Sequence, residues 1–279
     1  MDVDQFELHA EMEDRHWWFL GRRHILQTLV GQLVPAGAGK LVVDVGCGTG
    51  GNIGALGEHY ATVGIDTSAT AIDLARRRFP RTRFWCGELA EAPGDLDADA
   101  DLFLLTDVIE HVSDDFLLLS TLLARCKVGA HVLITVPANP HLWSSHDVAL
   151  GHYRRYDVAR FRRVWDGLPV DLRLLSYFNA RLYPPIRLIR WVTRRLGGSA
   201  GRLGTDLSVP PASINRVLAR IFAGEGKVLA RRLDENGSGG YRAGASLVAV
   251  LRLREAGISP RGKPADVPAD GLAEAGRGE

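Results

Sequence analysis

The amino-acid sequence predicts an α/β fold on a mostly parallel β-sheet with one antiparallel edge strand. Three observations carry this. Short runs that are apolar at nearly every position recur along the chain, helical stretches separate them, and glycine- or charge-rich turns close their ends. A strand apolar on both faces needs cover on both sides, which is the arrangement of a parallel sheet flanked by helices.

Residues 1–34 hold an acidic stretch and an aromatic cluster and are expected to form N-terminal lid helices. Leu41–Val45 reads as the first buried strand, followed by a glycine turn and a helix near Asn52–Glu58. Thr62–Asp66 is the second strand; the helix after it, Ser68–Arg78, is closed by Pro80, which disfavours helical backbone at the residue before it. Arg83–Cys86 is the third strand and Leu102–Leu105 the fourth. A helix over Ser113–Cys126 takes Ser113 as its cap and two aspartates in its first turn, where the helix dipole favours negative charge. His131–Val136 is the fifth strand, stopped by Pro137. Asp171–Tyr177 and Ala245–Leu253 are the last two, separated by a basic helical insertion over about 179–240. If these two are neighbours, the sheet ends in an antiparallel pair. The body thus spans 35–254. Gly197–Thr205 (GGSAGRLGT) is expected to be a mobile loop, and 255–279, rich in Gly, Pro, Ala and charge, a disordered tail.

Composition narrows the function classes. The formal net charge of the 279 residues is +1, so no global field favours nucleic acid. Cys47, Cys86 and Cys126 are far apart and odd in number, which suits neither a disulfide framework nor a zinc pair. The acidic N-terminus has no apolar core of a secretory kind, and no run reaches the ~18–20 apolar residues of a membrane span. A cytoplasmic location is expected; the oligomeric state is left open.

The turn after the first strand carries the most chemistry. Asp44 stands two residues before Gly46, which with Gly48 and Gly50 makes an alternating glycine run. Glycine lets backbone turn tightly and approach a ligand without a Cβ in the way. Gly46, Gly48 and Gly51 also satisfy the dinucleotide pattern G-x-G-x-x-G, so the glycines alone do not choose a ligand. Asp44 does: a carboxylate here repels a pyrophosphate and suits an ammonium. Asp66, at the end of the second strand, can accept hydrogen bonds from ribose hydroxyls.

The run VVDVGCGTGGN, together with VGIDTS, FWCGELAE, LLTDVIEHV and VLITVPANP, resembles class I S-adenosylmethionine-dependent methyltransferases, and within them the ubiquinone-biosynthesis-like branch. The resemblance covers Leu41–Asn139 and implies a Rossmann-like fold with S-adenosyl-L-methionine as cofactor. It implies that Asp44, Gly46, Cys47, Gly48 and Gly50 line the methionine part of the donor, and that Asp66 and Thr67 hold its ribose. Glu88 and Leu89 would flank the adenine, although the family more often has Asp where this chain has Glu88. Thr106, Asp107 and Val108 would face the sulfur and the acceptor. A second resemblance lies in the flanks: His16-Trp17-Trp18-Phe19 before Arg22-Arg23, then His146-Asp147, Gly151-His152-Tyr153-Arg154-Arg155-Tyr156 and Gly244-Ala245-Ser246-Leu247. These are similar to a bacterial H-W-W-F / G-H-x-R-R-Y subgroup found near sugar, lipid or secondary-metabolite pathways.

Each remaining constellation has two readings. Three consecutive aromatics cannot share one face of a helix, so Trp17–Phe19 is either core packing or a lid, with Trp18 over the donor and Trp17 over the acceptor. Arg22 reaches the donor carboxylate or is simply solvated. His111, His146 and His152 are candidate bases or acceptor-orienting groups; His111 can equally pin its own loop. Asp147, Tyr153, Arg154, Arg155 and Tyr156 are candidate acceptor contacts; Arg154 and Arg155 can equally form an ion pair with the acidic N-terminus. No metal-ligand set is predicted. Arg181–Arg195, basic and amphipathic, either touches a membrane surface weakly or covers the domain. The expected reaction is in-line methyl transfer to a small-molecule acceptor. The alternatives are non-methylating chemistry on the same donor-binding fold, such as cyclisation, decarboxylation or elimination, and a non-catalytic partner subunit.

Overall fold

The computed structural model describes residues 3–37, 39–195, 208–234 and 240–262. Strands β1 (Leu41–Val45), β2 (Ala61–Asp66), β3 (Arg83–Cys86), β4 (Leu102–Thr106), β5 (His131–Pro137), β6 (Val170–Phe178) and β7 (Ser246–Leu253) form one sheet. Its order is β3-β2-β1-β4-β5-β7-β6. The first five strands pair in parallel, and β7 runs antiparallel to both β5 and β6. The sheet therefore ends in the expected antiparallel pair, with the reversed strand as its inner member. Strand order reverses between β1 and β4, and the crevice at such a switch point is where open α/β sheets bind ligands.

Alternate residues of each central strand feed two cores. Val43, Val45, Phe103, Leu105, Val132 and Ile134 pack on one side with Phe116, Leu119 and Leu123 of helix α5 (Asp115–Arg125; α1 to α4 follow below). Val42, Leu102, Leu104, Leu133 and Val250 face the other side. Helix α2 (Trp17–Leu33) covers that second side with Ile25, Leu26, Leu29 and Val30, the i, i+1, i+4, i+5 stripe of an amphipathic helix. Helix α1 (Val3–Arg15) precedes it, α3 (Gly51–Gly54) follows the glycine turn, and α4 (Ala69–Arg78) joins β2 to β3. Short helices α6 (Ser145–Ala149) and α7 (Val158–Arg162) lie between β5 and β6. Helices α8 (Tyr183–Arg195), α9 (Ala212–Ala223) and α10 (Gly226–Asp234) lie between β6 and β7. A Cβ on Gly21 of α2 would sit 2.6 Å from Phe222 Cδ1 of α9, so glycine permits this close crossing.

Some expectations need correction. The helix after the glycine turn closes at Gly54 and gives way to turns, rather than running over Asn52–Glu58. The cap of α5 is Asp114, whose carboxylate accepts from Leu117 N at 2.8 Å; Ser113 is one residue too early. The first part of the tail, 255–262, has no helix or strand but is fastened to α5, where Ser120 Oγ donates to Arg261 O at 3.0 Å. The loop 197–205 and the rest of the tail lie outside the described residues. No helix among the described residues is long and apolar enough to cross a membrane.

Candidate functional site

The carboxyl ends of β1, β2, β4 and β5 open onto a cavity of about 1230 Å³. A site for one small ligand spans about 300–1,000 Å³, so this cavity has room for two. Helices α1 and α2 roof it, and the loop around α6 forms the far wall.

At its floor the glycine turn has positive φ at Gly46 (74°), Gly48 (52°) and Gly50 (83°), conformations that favour glycine. A Cβ on Gly46 would meet Val108 Cγ2 at 2.6 Å, whereas one on Gly48 would meet nothing within 4 Å. Gly46 is therefore bare for packing, and Gly48 leaves backbone open to the cavity. The N–H groups of Gly46 and Cys47 both donate to Ile65 O, at 2.8 and 3.1 Å, which fastens the turn to β2. Asp66 accepts from Gly48 N at 2.8 Å and Ser68 N at 2.9 Å, one on each oxygen. Each oxygen keeps capacity for a further donor.

Asp44 sits just behind this wall, 1% exposed, and neither carboxylate oxygen has a hydrogen-bond partner. Burial, with Asp66 and Glu13 adding repulsion and Arg22 opposing, pushes its pKa up to about 8. A buried carboxyl without a partner is costly, and the missing element is a donor or a cation.

Helix α2 brings three predicted residues to the cavity. His16 caps it, its Nδ1 accepting from Trp18 N at 3.3 Å. Trp17 packs edge-on against Phe222, with ring centroids 6.0 Å apart. Trp18 lies under the Arg22 guanidinium at 4.5 Å, a cation–π contact. Arg22 is buried and ion-paired with Asp107, so the expected role at a donor carboxylate is shared with a partner on β4's exit turn. Asp107 itself has φ 58° and accepts from Thr135 Oγ1 at 3.3 Å.

Of the expected cofactor residues, Trp18, Arg22, Gly46, Cys47, Gly48, Asp66, Thr67, Glu88, Leu89, Thr106, Asp107 and Val108 line the cavity; Asp44 and Gly50 stand behind it. All three candidate histidines line it too, as do Trp17 and Arg155. Asp147, Tyr153, Arg154 and Tyr156 do not line it: Asp147, Arg154 and Tyr156 instead brace the surrounding loops, and Tyr153 is exposed. Asp147 is fully buried, accepting from Arg155 Nε at 2.7 Å and from Ser144 N at 2.8 Å, and pairing with His152 Nδ1 at 3.0 Å. Tyr156 is core: its hydroxyl bonds Ile109 O at 3.1 Å and Asp115 Oδ2 at 2.9 Å. Arg154 also reaches Asp115, at 3.2 Å, and Tyr153 points outward. Arg154 bonds Asp115 and Ser113 O, and Arg155 bonds Asp147 and Ala138 O, so among the described residues no bond from either to the acidic N-terminus is seen.

Two acids emerge that the sequence did not single out. Glu13 of α1 is buried and accepts from Thr49 Oγ1 at 2.7 Å and from Arg78 Nη1 at 2.5 Å, tying α1 to the glycine turn and to α4. Glu110 is fully buried on the cavity wall with both oxygens unpartnered, and burial pushes its pKa up to about 8.

A family model described as a methyltransferase domain matches residues 18–184. Trans-aconitate 2-methyltransferase of Rhodopseudomonas palustris is 29% identical over 143 residues, 49% of this chain and 55% of that protein. The enzyme of the same name from Deinococcus radiodurans is 29% identical over 57% of this chain and 70% of its own length. The chain thus spans about half the length of the first of these relatives and more of the second. Among solved structures, geranyl diphosphate C-methyltransferase of Streptomyces coelicolor superposes with a TM-score of 0.51 at 16% identity, covering 81% of this chain and 77% of that one.

Proposed function

This chain belongs to the methyltransferase-domain family, whose class I members draw their methyl group from S-adenosylmethionine, and we propose that it methylates a small-molecule acceptor. The observation that carries this reading is Asp44. An unpartnered buried carboxyl sits behind a glycine turn whose backbone opens onto a cavity large enough for two ligands.

The residues present fit the donor. Gly46, Cys47 and Gly48 would receive its methionine part, and Asp44 its ammonium, directly or through water. Asp66 and Thr67 would take the ribose hydroxyls, Glu88 and Leu89 the adenine. When bound, the donor supplies an activated methyl carbon open to in-line attack. The chain's own work is then to orient: Arg22 and Asp107 fix the β4 exit, Trp17 and Trp18 exclude water, and His111, His146 and His152 align the acceptor or remove its proton. Orientation supplies about 7–11 kcal/mol of barrier lowering, and a base adds about 10²–10⁴-fold where a proton must leave.

Residues 1–34 serve as a lid in this reading, which the Glu13 tie supports, and 179–240 as a cap on the body 35–254. The acceptor is a secondary metabolite, sugar or lipid-linked intermediate. Leu188, Ile189 and Trp191 of α8 are exposed beside Arg187, which supports weak contact with an anionic membrane surface. We also read the chain as a member of the ubiquinone-biosynthesis-like branch and its H-W-W-F subgroup. His16 as cap of α2, with Trp18 and Arg22 on the cavity wall, gives that opening motif a physical role.

The test is incubation with methyl-labelled donor and a panel of acceptors. The expected result is label in one acceptor class with stoichiometric S-adenosylhomocysteine. Donor consumed without a methylated product refutes methyl transfer.

A further inference from the structure

The cavity is polarised along the sheet. Acids that suit a cationic donor, Asp44, Asp66 and Glu88, stand at or just past the ends of β1, β2 and β3. The other half carries cations. Arg155 and Arg190 both line the cavity. Arg155 bonds Ala138, the residue after β5, and Arg190 belongs to α8, which follows β6 at the far edge of the sheet. From β2 to β5 is three inter-strand steps of about 4.8 Å, roughly 14 Å. We propose that Arg155 and Arg190 form a subsite for an oxyanion of the acceptor, a carboxylate or phosphate, whose apolar body lies against Leu142, Ile186 and Ile189. This names the substrate class of the site proposed above, and it rests on that reading only in calling the ligand an acceptor.

Arg155 is the fixed half of the subsite. Its side chain is 5% exposed, a depth at which a charged group needs partners. Its Nε donates to Asp147 Oδ1 at 2.7 Å and its Nη1 to Ala138 O at 3.0 Å. A guanidinium has five N–H donors in a rigid fork. Nη2, which makes no hydrogen bond to a described residue, is the part left for the cavity. Asp147 holds the fork from behind and is itself held by the Ser144 amide. A donor set fixed in advance binds an oxyanion without a large ordering cost.

Arg190 supplies the second charge from a different element. Its Nη1 donates to Leu142 O, which sets the guanidinium at the cavity wall. Burial lowers the Arg155 pKa, Asp147 opposes this, and the charge of Arg190 lowers it further. The two guanidiniums are thus near enough to repel, and an anion held by both relieves that repulsion. Leu142, Ile186 and Ile189 line the same wall, and Ile186 stands one turn before Arg190 on α8, on the same face. A charged head with an apolar body matches this wall better than a small inorganic ion does. Anchoring the head here also fixes which end of the acceptor faces the donor.

The test uses the full chain and three probes of equal length, octanoate, octyl phosphate and octanol, titrated by calorimetry with and without S-adenosylhomocysteine. At least one anion should bind about tenfold or more tightly than octanol, as charge-assisted bonds to arginine imply. The tighter anion assigns the head as carboxylate or phosphate. Arg190→Gln and Arg155→Lys should each weaken that anion about tenfold and leave octanol within about twofold; the lysine keeps a cation for Asp147 but lacks Nη2. Should Arg155→Lys lose the fold by circular dichroism, Arg190→Gln decides alone. Anions that bind no tighter than octanol, or an anion preference kept in Arg190→Gln, overturn the subsite. Wild-type protein that prefers the anions yet ignores S-adenosylhomocysteine counts against the donor assignment and leaves the oxyanion site standing.

Discussion

The unpartnered Asp44 carboxyl makes donor binding a proton-releasing event. Its pKa of about 8 in the free protein means that it is ionised in about one molecule in eleven at pH 7 and one in a hundred at pH 6. An ammonium placed beside it favours the ionised form, so the ligand selects the deprotonated minority. The sign follows: binding releases a proton, and affinity rises with pH until the free-protein pKa is passed. The apparent dissociation constant of S-adenosylhomocysteine should fall about ninefold from pH 6 to 7 and about fivefold more from 7 to 8. Calorimetry in buffers of different ionisation enthalpy should count about 0.9 proton released per ligand at pH 7. In Asp44→Asn the extra slope should vanish, and affinity at pH 8 should drop by the ~1.5–3 kcal/mol of a hydrogen bond to a charged group, roughly 13–160-fold. The ligand's own ammonium titrates alike in both proteins, so their difference isolates Asp44. A wild-type affinity flat over this range with no proton release, or an unchanged slope in Asp44→Asn, rules out an ammonium beside Asp44.

Other perturbations test the frame around that group. Gly46→Ala adds a Cβ 2.6 Å from Val108 Cγ2 at φ 74°, costing about 1–2 kcal/mol for the backbone and about 1–3 for the collision; a lower Tm and lost S-adenosylhomocysteine binding are expected, and wild-type values in both would contradict the packing. Glu13→Gln weakens a buried partner of Arg78 and Thr49, so ligand release, followed by stopped-flow fluorescence, should quicken about tenfold; unchanged release would deny the lid. Asp147→Asn leaves Arg155 buried without its charge partner, and chemical denaturation should report a loss of about 3–5 kcal/mol. Anionic vesicles should sediment the wild type at low salt and less of Trp191→Ala; equal sedimentation would remove the membrane contact.

The central strands β1, β4 and β5 were legible because they are buried on both faces, and a sheet covered on both sides leaves few other uses for such runs. The glycine turn was legible because its backbone angles admit few residues besides glycine. Long-range pairing was not. Glu13 reads as one of several surface acids near the N-terminus, and only the fold brings it to Thr49 and Arg78. Tyr156 and Asp147 look like site residues because they are polar amid other polar groups, yet their bonds run inward. Ser113 and Asp114 are both good caps by residue type, and the choice depends on where the chain leaves the β4 exit. The Glu110–Tyr153 tie joins residues 43 apart through one backbone bond, which no local pattern records.

A crystal structure with S-adenosylhomocysteine would show directly which residues hold the donor. The ribose should lie on Asp66, the amino acid end over Gly46–Gly48 near Asp44, and the sulfur toward His111 and His152. A ligand bound away from the glycine turn, or reversed so that its adenine meets the histidines, would contradict the account.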